Sequence, residues 1–187
     1  MTQAYSHIAQ PYLDAIASAV FSGQSVRDWL VEATRHASGY RGAKSLHREQ
    51  DSVRGSGMKQ PFYCNYWCGK DSRCTCRIEG SRSLETDAMF FLESGSGRRL
   101  GVHVEFKHAG ERLQLGQAEG YPLRAACWAC PSRCPGPVVP HDDWLTVIFC
   151  ADAEKHQQQF APFDRRIGHD EARAVIPGYP AGSDGRR

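Results

Sequence analysis

Residues 99–110, "RLGVHVEFKHAG", alternate apolar and polar side chains as a half-buried β-strand does. Successive side chains of an extended chain point to opposite faces, so His103, Glu105 and Lys107 would share one face. The opposite face would be apolar and would carry Leu100, Val102, Val104 and Phe106. The pattern predicts a strand over 99–107 that holds a carboxylate and an ammonium group side by side.

Two other stretches predict strands of the same sheet, "ETDAMFFLE" (85–93) and "DWLTVIFCA" (143–151). The glycine-rich link "SGSG" (94–97) joins the first of them to the strand at 99–107, as in a β-hairpin. Helical segments are predicted before and after this hairpin. The order of helix, strands in a hairpin, helix and strand predicts an α/β fold.

The helical segments are predicted from apolar residues at helical spacing. One helix is expected from about 25 to 37, begun by a capping box of Ser25 and Asp28, and the segment 111–129 is expected to be helical in part. Two regions carry weaker patterns: residues 38–60 predict a loop or a loose helix, and residues from about 163 to 187 predict an irregular tail. A chain of 187 residues is expected to form a single domain, 1–187.

The net charge is only +2, but it is unevenly distributed along the chain. Residues 35–82 contain ten Lys or Arg against four acids, which suits a polyanionic partner such as nucleic acid. An ordinary solvated loop is the alternative. No stretch approaches the roughly 20 apolar residues that cross a membrane, and the N-terminus lacks a signal-peptide pattern. We therefore expect a cytoplasmic protein without a membrane partner.

Asp87 lies in the first strand of the predicted hairpin, where pairing would bring it next to Glu105 and Lys107. Two carboxylates a few ångströms apart repel each other unless a cation lies between them. Oxygen ligands of this kind suit Mg²⁺ or Mn²⁺, which also bind substrate phosphates. Such an ion polarises a phosphoryl oxygen, and a neighbouring lysine can orient water or offset the charge that develops on the phosphate.

The pattern Asp87…Glu105-Phe106-Lys107 resembles the motif of the PD-(D/E)XK superfamily of metal-dependent nucleases. The hairpin between the two acids and the order of helices and strands are similar to that family as well. The resemblance implies a restriction-endonuclease-like core, a mixed central β-sheet flanked by helices, here with a cysteine-rich insertion. It also implies a Mg²⁺- or Mn²⁺-dependent deoxyribonuclease in which Asp87 and Glu105 hold the metal and Lys107 assists the water.

A second signature belongs to the same resemblance: "QAEGY", which starts at Gln117, matches the Q-x-x-x-Y motif of RecB-like members. In the family this glutamine helps to place the active site or the DNA, which implies a catalytic role for Gln117 and substrate binding for Tyr121. Gln114 would lie on the same helical face and is a further candidate for substrate binding. Two departures are Thr86, where the family usually has proline, and Pro122, which must kink the helix or lie near its start.

Three further residues are candidates for the site. The family often supplies a glutamate from its first helix, and Glu32 is the candidate for this catalytic role. Glu49, which has His47 nearby, is its rival, because RecB-like members often carry a histidine ahead of their core. His103 has two alternatives that remain open, a satisfied polar residue or a substrate-binding ligand of phosphate or metal.

Eight cysteines are many for an intracellular chain of this length, and seven of them fall into two clusters. The clusters are Cys64, Cys68, Cys74 and Cys76, and then Cys127, Cys130 and Cys134. A shared structural zinc site, two separate zinc sites, an iron–sulfur cluster like that of some RecB-like nucleases, and no metal are open alternatives. A structural metal would present Arg73 and Arg77 to DNA, whereas Cys150 is expected to be plain core.

The expected partner is DNA, double-stranded or branched, and restriction-type members make a homodimer one expected assembly. A metal-stabilised nucleic-acid-binding module on a catalytically inactive nuclease fold is the alternative function. It would bind DNA or RNA with a steep salt dependence and cleave neither. A regulatory or toxin-like protein that acts through protein contacts is a third hypothesis, which binding to a bare oligonucleotide would exclude.

Overall fold

The computed structural model describes residues 8–55, 60–68, 76, 78 and 85–181. These residues form a six-stranded mixed β-sheet flanked by helices, which confirms the predicted α/β class. The elements are, in chain order, α1 (Gln10–Ser22), α2 (Gln24–Val31), β1 (Lys44–Ser45), α3 (His47–Arg54), β2 (Cys64–Trp67), β3 (Glu85–Glu93), β4 (Arg99–Phe106), α4 (Gln117–Ala129), β5 (Asp143–Cys150), β6 (Arg165–Gly168) and α5 (His169–Val175).

The sheet is organised around β4, which pairs with β3 on one side and with β5 on the other. β3 and β4 are antiparallel and form the predicted hairpin, while β4, β5 and β6 run parallel. β1 pairs with the end of β3 and β2 with its start. The three predicted strands are confirmed, because β3 has the predicted bounds and β4 and β5 each end one residue early.

The alternation along β4 separates two layers of the core. Val102 belongs, with the other apolar residues of β4, to a cluster that includes Leu13 of α1 and Leu30 of α2. On the opposite face, the ring of His103 lies 5.4 Å from the ring of Trp128 in α4, centroid to centroid. Helices α1 and α2 therefore cover one face of the sheet, and α4 covers the face that carries the polar residues of β4.

Gly101 leaves space for a buried ring on the α4 side of β4. A Cβ atom at Gly101 would lie 2.7 Å from Cδ2 and 2.8 Å from Nε2 of His141. That ring cannot move aside freely, because His141 is only 6% exposed and its Nδ1 lies 2.8 Å from the carbonyl oxygen of Val139. We expect Gly101→Ala to lower the free energy of unfolding by about 1–3 kcal/mol, measured by urea denaturation.

Gly95→Ala is the matched control for this prediction. Gly95 lies in the link between β3 and β4, where an added Cβ would meet nothing within 4 Å. Its effect should stay within about 0.5 kcal/mol, as for most surface substitutions. Equal losses of stability in both variants would contradict the close packing of His141 against Gly101.

The predicted helix at 25–37 is too long, and its predicted capping box is wrong. α2 ends at Val31, and Ala33 has a φ of 56°, which lies outside the helical region. The Oγ1 of Thr34 donates to the carbonyl of Val31 at 2.6 Å, so a side chain satisfies an acceptor that another helical turn would have used. Ser25 lies inside α2, whose N-cap makes no side-chain hydrogen bond.

The predicted irregular tail at 163–187 is wrong for much of its length. β6 pairs in parallel with β5, and α5 follows it directly. The sequence pattern missed β6 because the strand has four residues, two of them arginines, and Ile167 is its single large apolar side chain. Residues 182–187 lie outside the described part of the chain. The segment 38–60, predicted as a loop or a loose helix, contains the helix α3.

Candidate active site

The start of β3 and the end of β4 bring the predicted acidic residues together. The ladder between these strands pairs Ala88 with Val104, so the next residues in the same register, Asp87 and Glu105, lie opposite each other. Next to the end of this ladder, the Oδ2 of Asp87 accepts a hydrogen bond from the backbone N–H of Phe106 at 2.8 Å. The hairpin thus holds two carboxylates at one end of the central pair of strands.

Glu105 is 1% exposed and accepts hydrogen bonds from three side chains among the described residues. Its Oε1 lies 2.8 Å from Nζ of Lys107 and 2.8 Å from Nε2 of Gln117, and its Oε2 accepts the hydroxyl of Tyr121. That hydroxyl also accepts the backbone N–H of Asp87 at 3.4 Å. A carboxylate tolerates burial only when it is paired and hydrogen-bonded, and these donors supply both.

Two of these donors come from one face of α4. Gln117 and Tyr121 are four residues apart, so they lie one above the other on the helix. Gln117 begins α4 directly after Gly116, whose φ of 70° is a left-handed conformation that glycine adopts without strain. Pro122 lies inside α4, and the helix continues beyond it. The residues of the Q-x-x-x-Y motif therefore converge on Glu105 although a proline follows them.

Gln114 does not share this helical face, because α4 begins three residues later. Its side chain is exposed, and its backbone N–H donates to Oε1 of Gln117 at 2.9 Å. The amide of Gln117 is therefore held at both ends, by the main chain at Gln114 and by the carboxylate of Glu105. Gln114 helps to fix Gln117 through its backbone, and its role in substrate binding stays a prediction.

Burial and the charge of Glu105 raise the pKa values of the two neighbouring acids, Glu85 and Asp87. Burial, and after it the charge of Glu105, raises the pKa of Glu85 to about 7. The same causes raise the pKa of Asp87 well above its usual value, against a hydrogen bond from Phe106 that lowers it. Burial lowers the pKa of Lys107, but the charges of Glu105 and Asp87 outweigh that effect and raise it. Lys107 is thus a cation at neutral pH, and a second cation would relieve the repulsion that remains.

Sequence patterns did not single out Glu85 or Arg124. Glu85 begins β3 two residues before Asp87, and residues at this spacing share a face of a strand, so the period of two could have found it. Arg124 of α4 is 1% exposed, and it donates to Oγ1 of Thr86 at 2.8 Å and to the carbonyl of Glu85 at 2.7 Å. Arg124 therefore ties α4 to the start of β3, a long-range contact that no local pattern predicts.

Asp87 and Glu105 form a donor set that fits a hard divalent cation. Within the described ranges, no group of three or more His, Cys, Asp or Glu side chains is arranged to hold a metal ion. Mg²⁺ and Mn²⁺ do not require such a group, since one or two carboxylates, waters and substrate phosphates commonly hold them. Each carboxylate oxygen accepts two hydrogen bonds, and Oδ2 of Asp87 and Oε2 of Glu105 each receive one from the described residues. Each of these oxygens therefore keeps a lone pair for a cation.

No family model, curated protein or solved structure matches this chain. Of the helices that the structure describes, none is long and apolar enough to span a membrane. The function is therefore inferred from the chemistry of the carboxylates around Glu105 and of the residues that contact them.

His103 shares the face of Glu105 but lies sealed beneath α4. Its exposed fraction is 0%, and its ring centroid lies 5.4 Å from that of Trp128 and 6.3 Å from that of His141. Neither ring nitrogen of His103 has a hydrogen-bond partner among the described residues. Burial, followed by the charges of His141 and Arg124, lowers the pKa of His103 well below its usual value. A neutral ring without solvent access favours packing over phosphate binding.

The buried histidines predict a loss of stability as the pH falls. Burial lowers the pKa values of His103 and His141 below the usual value of 6.5. Below about pH 6.5 the unfolded chain therefore binds protons that the folded protein does not. Each buried neutral histidine therefore makes its full contribution to the free energy of unfolding above this pH. As the pH is lowered further, the free energy of unfolding should fall by up to about 1.4 kcal/mol per pH unit for each such histidine.

Urea denaturation of the wild type and of His103→Phe at several pH values tests this prediction. The variant removes one titrating ring, so its stability should fall less steeply below about pH 6.5. Glu85 has a raised pKa and acts in the opposite direction, but it is present in both proteins and its effect cancels in the comparison. Identical pH profiles for the two proteins would contradict a neutral, buried His103.

The structure does not bring either predicted helical glutamate to this site. Glu32 follows the end of α2, on the face of the sheet opposite α4, and its side chain is exposed. Glu49 of α3 pairs with Arg99 at 2.8 Å, at the opposite end of β4 from Glu105. No contact among the described residues links either glutamate to Asp87 or Glu105. The further acid that interacts with Glu105 is instead Glu85 of β3, two residues before Asp87.

The described cysteines are divided between the two faces of the sheet. Cys64 belongs to the cluster beneath α1, whereas Cys68 and Cys76 belong to the cluster beneath α4, with their Sγ atoms 3.1 Å apart. Cys127 and Cys134 pack against that second cluster. Two cysteines of the first sequence group, Cys68 and Cys76, therefore lie in the same hydrophobic cluster against which Cys127 and Cys134 of the second group pack. A zinc or iron–sulfur site built from them stays a prediction.

Two other cysteines occupy different surroundings. Cys130 has its Sγ 3.4 Å from Oγ of Ser132, and Cys150 is buried in the core as expected. Three predicted site residues lie outside the described part of the chain: Arg73, Cys74 and Arg77.

Proposed function

We propose that this protein is a metal-dependent nuclease that hydrolyses DNA phosphodiester bonds on a core of the PD-(D/E)XK type. The observation that carries the proposal is the convergence of Lys107, Gln117 and Tyr121 on Glu105, which lies opposite Asp87. Two motifs that are separate in sequence, D…ExK and Q-x-x-x-Y, thus meet at one buried carboxylate. Chance occurrence of either motif would not by itself bring them into contact.

Asp87 and Glu105 would hold Mg²⁺ or Mn²⁺. The bound ion supplies a positive charge that polarises a phosphoryl oxygen and lowers the pKa of a water molecule. Glu85 is a nearby acid whose pKa is raised to about 7, first by burial and then by Glu105. Beside a bound cation this carboxyl group would be ionised, and it would accept the proton that the attacking water releases.

Lys107 supplies the cationic group of the proposed mechanism. Its side chain is 16% exposed and its Nζ lies 2.8 Å from Oε1 of Glu105, so the ammonium group is at the site. It can donate to the attacking water and to a phosphoryl oxygen, which offsets negative charge as the bond between phosphorus and the leaving sugar oxygen breaks. The leaving oxygen then takes a proton from solvent.

Gln117→Ala tests the contact between α4 and the site. The substitution removes one of the two donors to Oε1 of Glu105, so the carboxylate is held less firmly by Lys107 and Tyr121 alone. Residues that orient a metal ligand typically change metal affinity or activity by about 10–100-fold, and we expect a loss of that size in cleavage rate. Gln158→Ala, at an exposed position, is the control and should keep wild-type activity. Unchanged cleavage by Gln117→Ala would contradict the role of this contact.

The direct experiment exposes a supercoiled plasmid and an end-labelled linear duplex to the purified protein with Mg²⁺, Mn²⁺ or EDTA. We expect cleavage with a divalent ion and none with EDTA. Plasmid nicking would identify an endonuclease, and shortening from the labelled end an exonuclease. Absence of cleavage by the folded protein on these DNAs, and on single-stranded and branched DNA, would contradict the proposal.

The alternative is a nucleic-acid-binding module without hydrolytic activity. One observation favours it, since Lys107 already neutralises Glu105 without any added ion. This alternative predicts tight DNA or RNA binding whose affinity falls steeply with salt and does not depend on a divalent ion.

A further inference from the structure

Trp67 is a large aromatic side chain that the fold leaves in solvent beside the acidic residues. It is 52% exposed, whereas its neighbour Tyr66 is 1% exposed. Trp67 ends β2 and is paired directly with Glu85 in the ladder between β2 and β3. Paired residues of antiparallel strands point to the same face, with Cβ atoms about 4.5–5.5 Å apart. Trp67 and Glu85 are therefore direct neighbours across the ladder, and the carboxyl group of Glu85 interacts with the charge of Glu105.

The strand that carries Trp67 is held in place by α3. Nη2 of Arg54 donates to the carbonyl oxygens of Cys64 at 2.7 Å and Asn65 at 3.1 Å. The guanidinium carbon of Arg54 also lies 3.9 Å from the ring centroid of Tyr66, and that ring is buried in the core. Arg54 therefore holds the backbone of Cys64 and Asn65 and packs on the side chain of Tyr66, the residue before Trp67. The exposed indole is thus presented by an anchored strand.

We propose that Trp67 stacks on an unpaired nucleobase next to the phosphodiester group that the acidic site cleaves. The substrate class that follows is DNA with unpaired nucleotides, in a single strand, a flap or a branch point. This inference rests on the proposed nuclease function and specifies its substrate.

The position of Trp67 favours a nucleobase as its partner. A phosphate that reaches Glu105 past Glu85 carries its own sugar and base alongside β2, where the indole stands. Aromatic side chains stack on any base, because every base has a π-face. Bases within a continuous duplex are already covered by their neighbours, so only an unpaired or terminal base offers an open face. A protein seated on Trp67 would instead cover Glu85 and obstruct the site.

The test compares Trp67→Ala, Trp67→Phe and Trp67→Leu with the wild type. Affinities for a fluorescein-labelled single strand and for the matching duplex are measured by anisotropy at constant salt, with EDTA present so that no strand is cleaved. Loss of stacking on one base should weaken single-strand binding by about 5–150-fold in Trp67→Ala. Duplex binding should change less than about twofold, and Trp67→Phe should retain most of the affinity for the single strand.

Leu123→Ala is the matched control, because Leu123 is also a large apolar side chain exposed to solvent, at 46%. It should bind both DNAs like the wild type, and circular dichroism and melting curves should show every variant to be folded. Equal losses on single strand and duplex, no loss in Trp67→Ala, or Trp67→Leu binding as tightly as Trp67→Phe would each overturn the stacking role. A change in oligomeric state in Trp67→Ala would also overturn it and identify a protein contact.

Cleavage assays on the same DNAs separate this inference from the function on which it rests. If the wild type and Trp67→Ala cleave single-stranded and branched DNA equally, the nuclease stands and the stacking role fails. If Trp67 is required for single-strand binding but the wild type cleaves no DNA with Mg²⁺ or Mn²⁺, the nuclease proposal fails while the binding surface stands.

Discussion

Asp87→Asn should abolish metal-dependent cleavage and, at the same time, stabilise the metal-free protein. Burial and the charge of Glu105 raise the pKa of Asp87 well above its usual value, so ionisation of this group opposes folding. The pKa of such an acid is higher in the folded protein than in the unfolded chain. The free energy of unfolding therefore decreases as the pH rises from the pKa of the unfolded state to the pKa of the folded state. Asparagine removes the charge and keeps an oxygen that can accept the N–H of Phe106. The gain in stability should therefore be present at about pH 8 and disappear near about pH 4.

Melting curves with EDTA and with millimolar Mn²⁺ measure this effect. With EDTA at alkaline pH, we expect the melting temperature of Asp87→Asn to rise by about 2–4 °C, the shift that about 1 kcal/mol produces in a chain of this size. Mn²⁺ should raise the melting temperature of the wild type but not of the variant. Asp51→Asn, on the exposed surface of α3, is the control. A destabilised Asp87→Asn with EDTA, or one that keeps the Mn²⁺ effect, would contradict the proposed role of Asp87.

The cleavage rate of Asp87→Asn should fall at least about a hundredfold. A bound metal ion stabilises the negative charge on a phosphoryl oxygen in the transition state by several kcal/mol, and the variant loses this stabilisation. This combination of higher stability and lost activity is the expected signature of a carboxylate that opposes folding until a cation binds.

Glu105→Gln should also inactivate the site, but with the opposite effect on stability. Glu105 is 1% exposed and receives hydrogen bonds from Lys107, Gln117 and Tyr121. Glutamine would turn its amide N–H₂ group toward one of these donors and remove the carboxylate that pairs directly with the largely buried Lys107. Breaking a buried ion pair from one side costs about 3–5 kcal/mol, and we expect a loss of up to that size in the free energy of unfolding.

A double-mutant cycle identifies the cause of this loss. Glu105→Gln combined with Lys107→Met removes the uncompensated cation, so the double variant should recover much of the stability and none of the activity. Urea denaturation of the two single variants and the double variant measures the coupling. A stabilised Glu105→Gln, or additive effects of the two substitutions, would contradict the buried pairing between Glu105 and Lys107.

The parts of the structure that the sequence predicted well depend on short-range rules. The period of two in β3 and β4 and the glycine-rich link between them suffice to place Asp87 opposite Glu105, and no distant contact is needed. The same period groups Glu105 with Lys107 on the face away from Phe106. Resemblance to a nuclease family, and not periodicity, led to Gln117, because its contact with Glu105 joins a helix to a strand.

The parts that the sequence did not predict depend on tertiary packing. The choice of Glu32 required knowing which face of the sheet α2 covers, and no local pattern encodes this. β6 escaped detection because a four-residue strand with two arginines gains its stability from pairing with β5. Trp67 was not singled out because its significance arises from its pairing with Glu85 across the ladder.

The measurement that tests the central claim most directly compares the wild type with Lys107→Ala on the same supercoiled plasmid, end-labelled duplex and single strand, with Mn²⁺ or EDTA. Loss of Lys107 leaves the buried Glu105 with the donors Gln117 and Tyr121 but without its ion-pair partner, so Lys107→Ala should be less stable than the wild type. A melting curve checks that the variant is folded at the assay temperature, and the folded variant should largely retain DNA binding. We predict Mn²⁺-dependent cleavage by the wild type and none by Lys107→Ala. Equal cleavage by both proteins, or none by the folded wild type, would contradict a nuclease built on Asp87, Glu105 and Lys107.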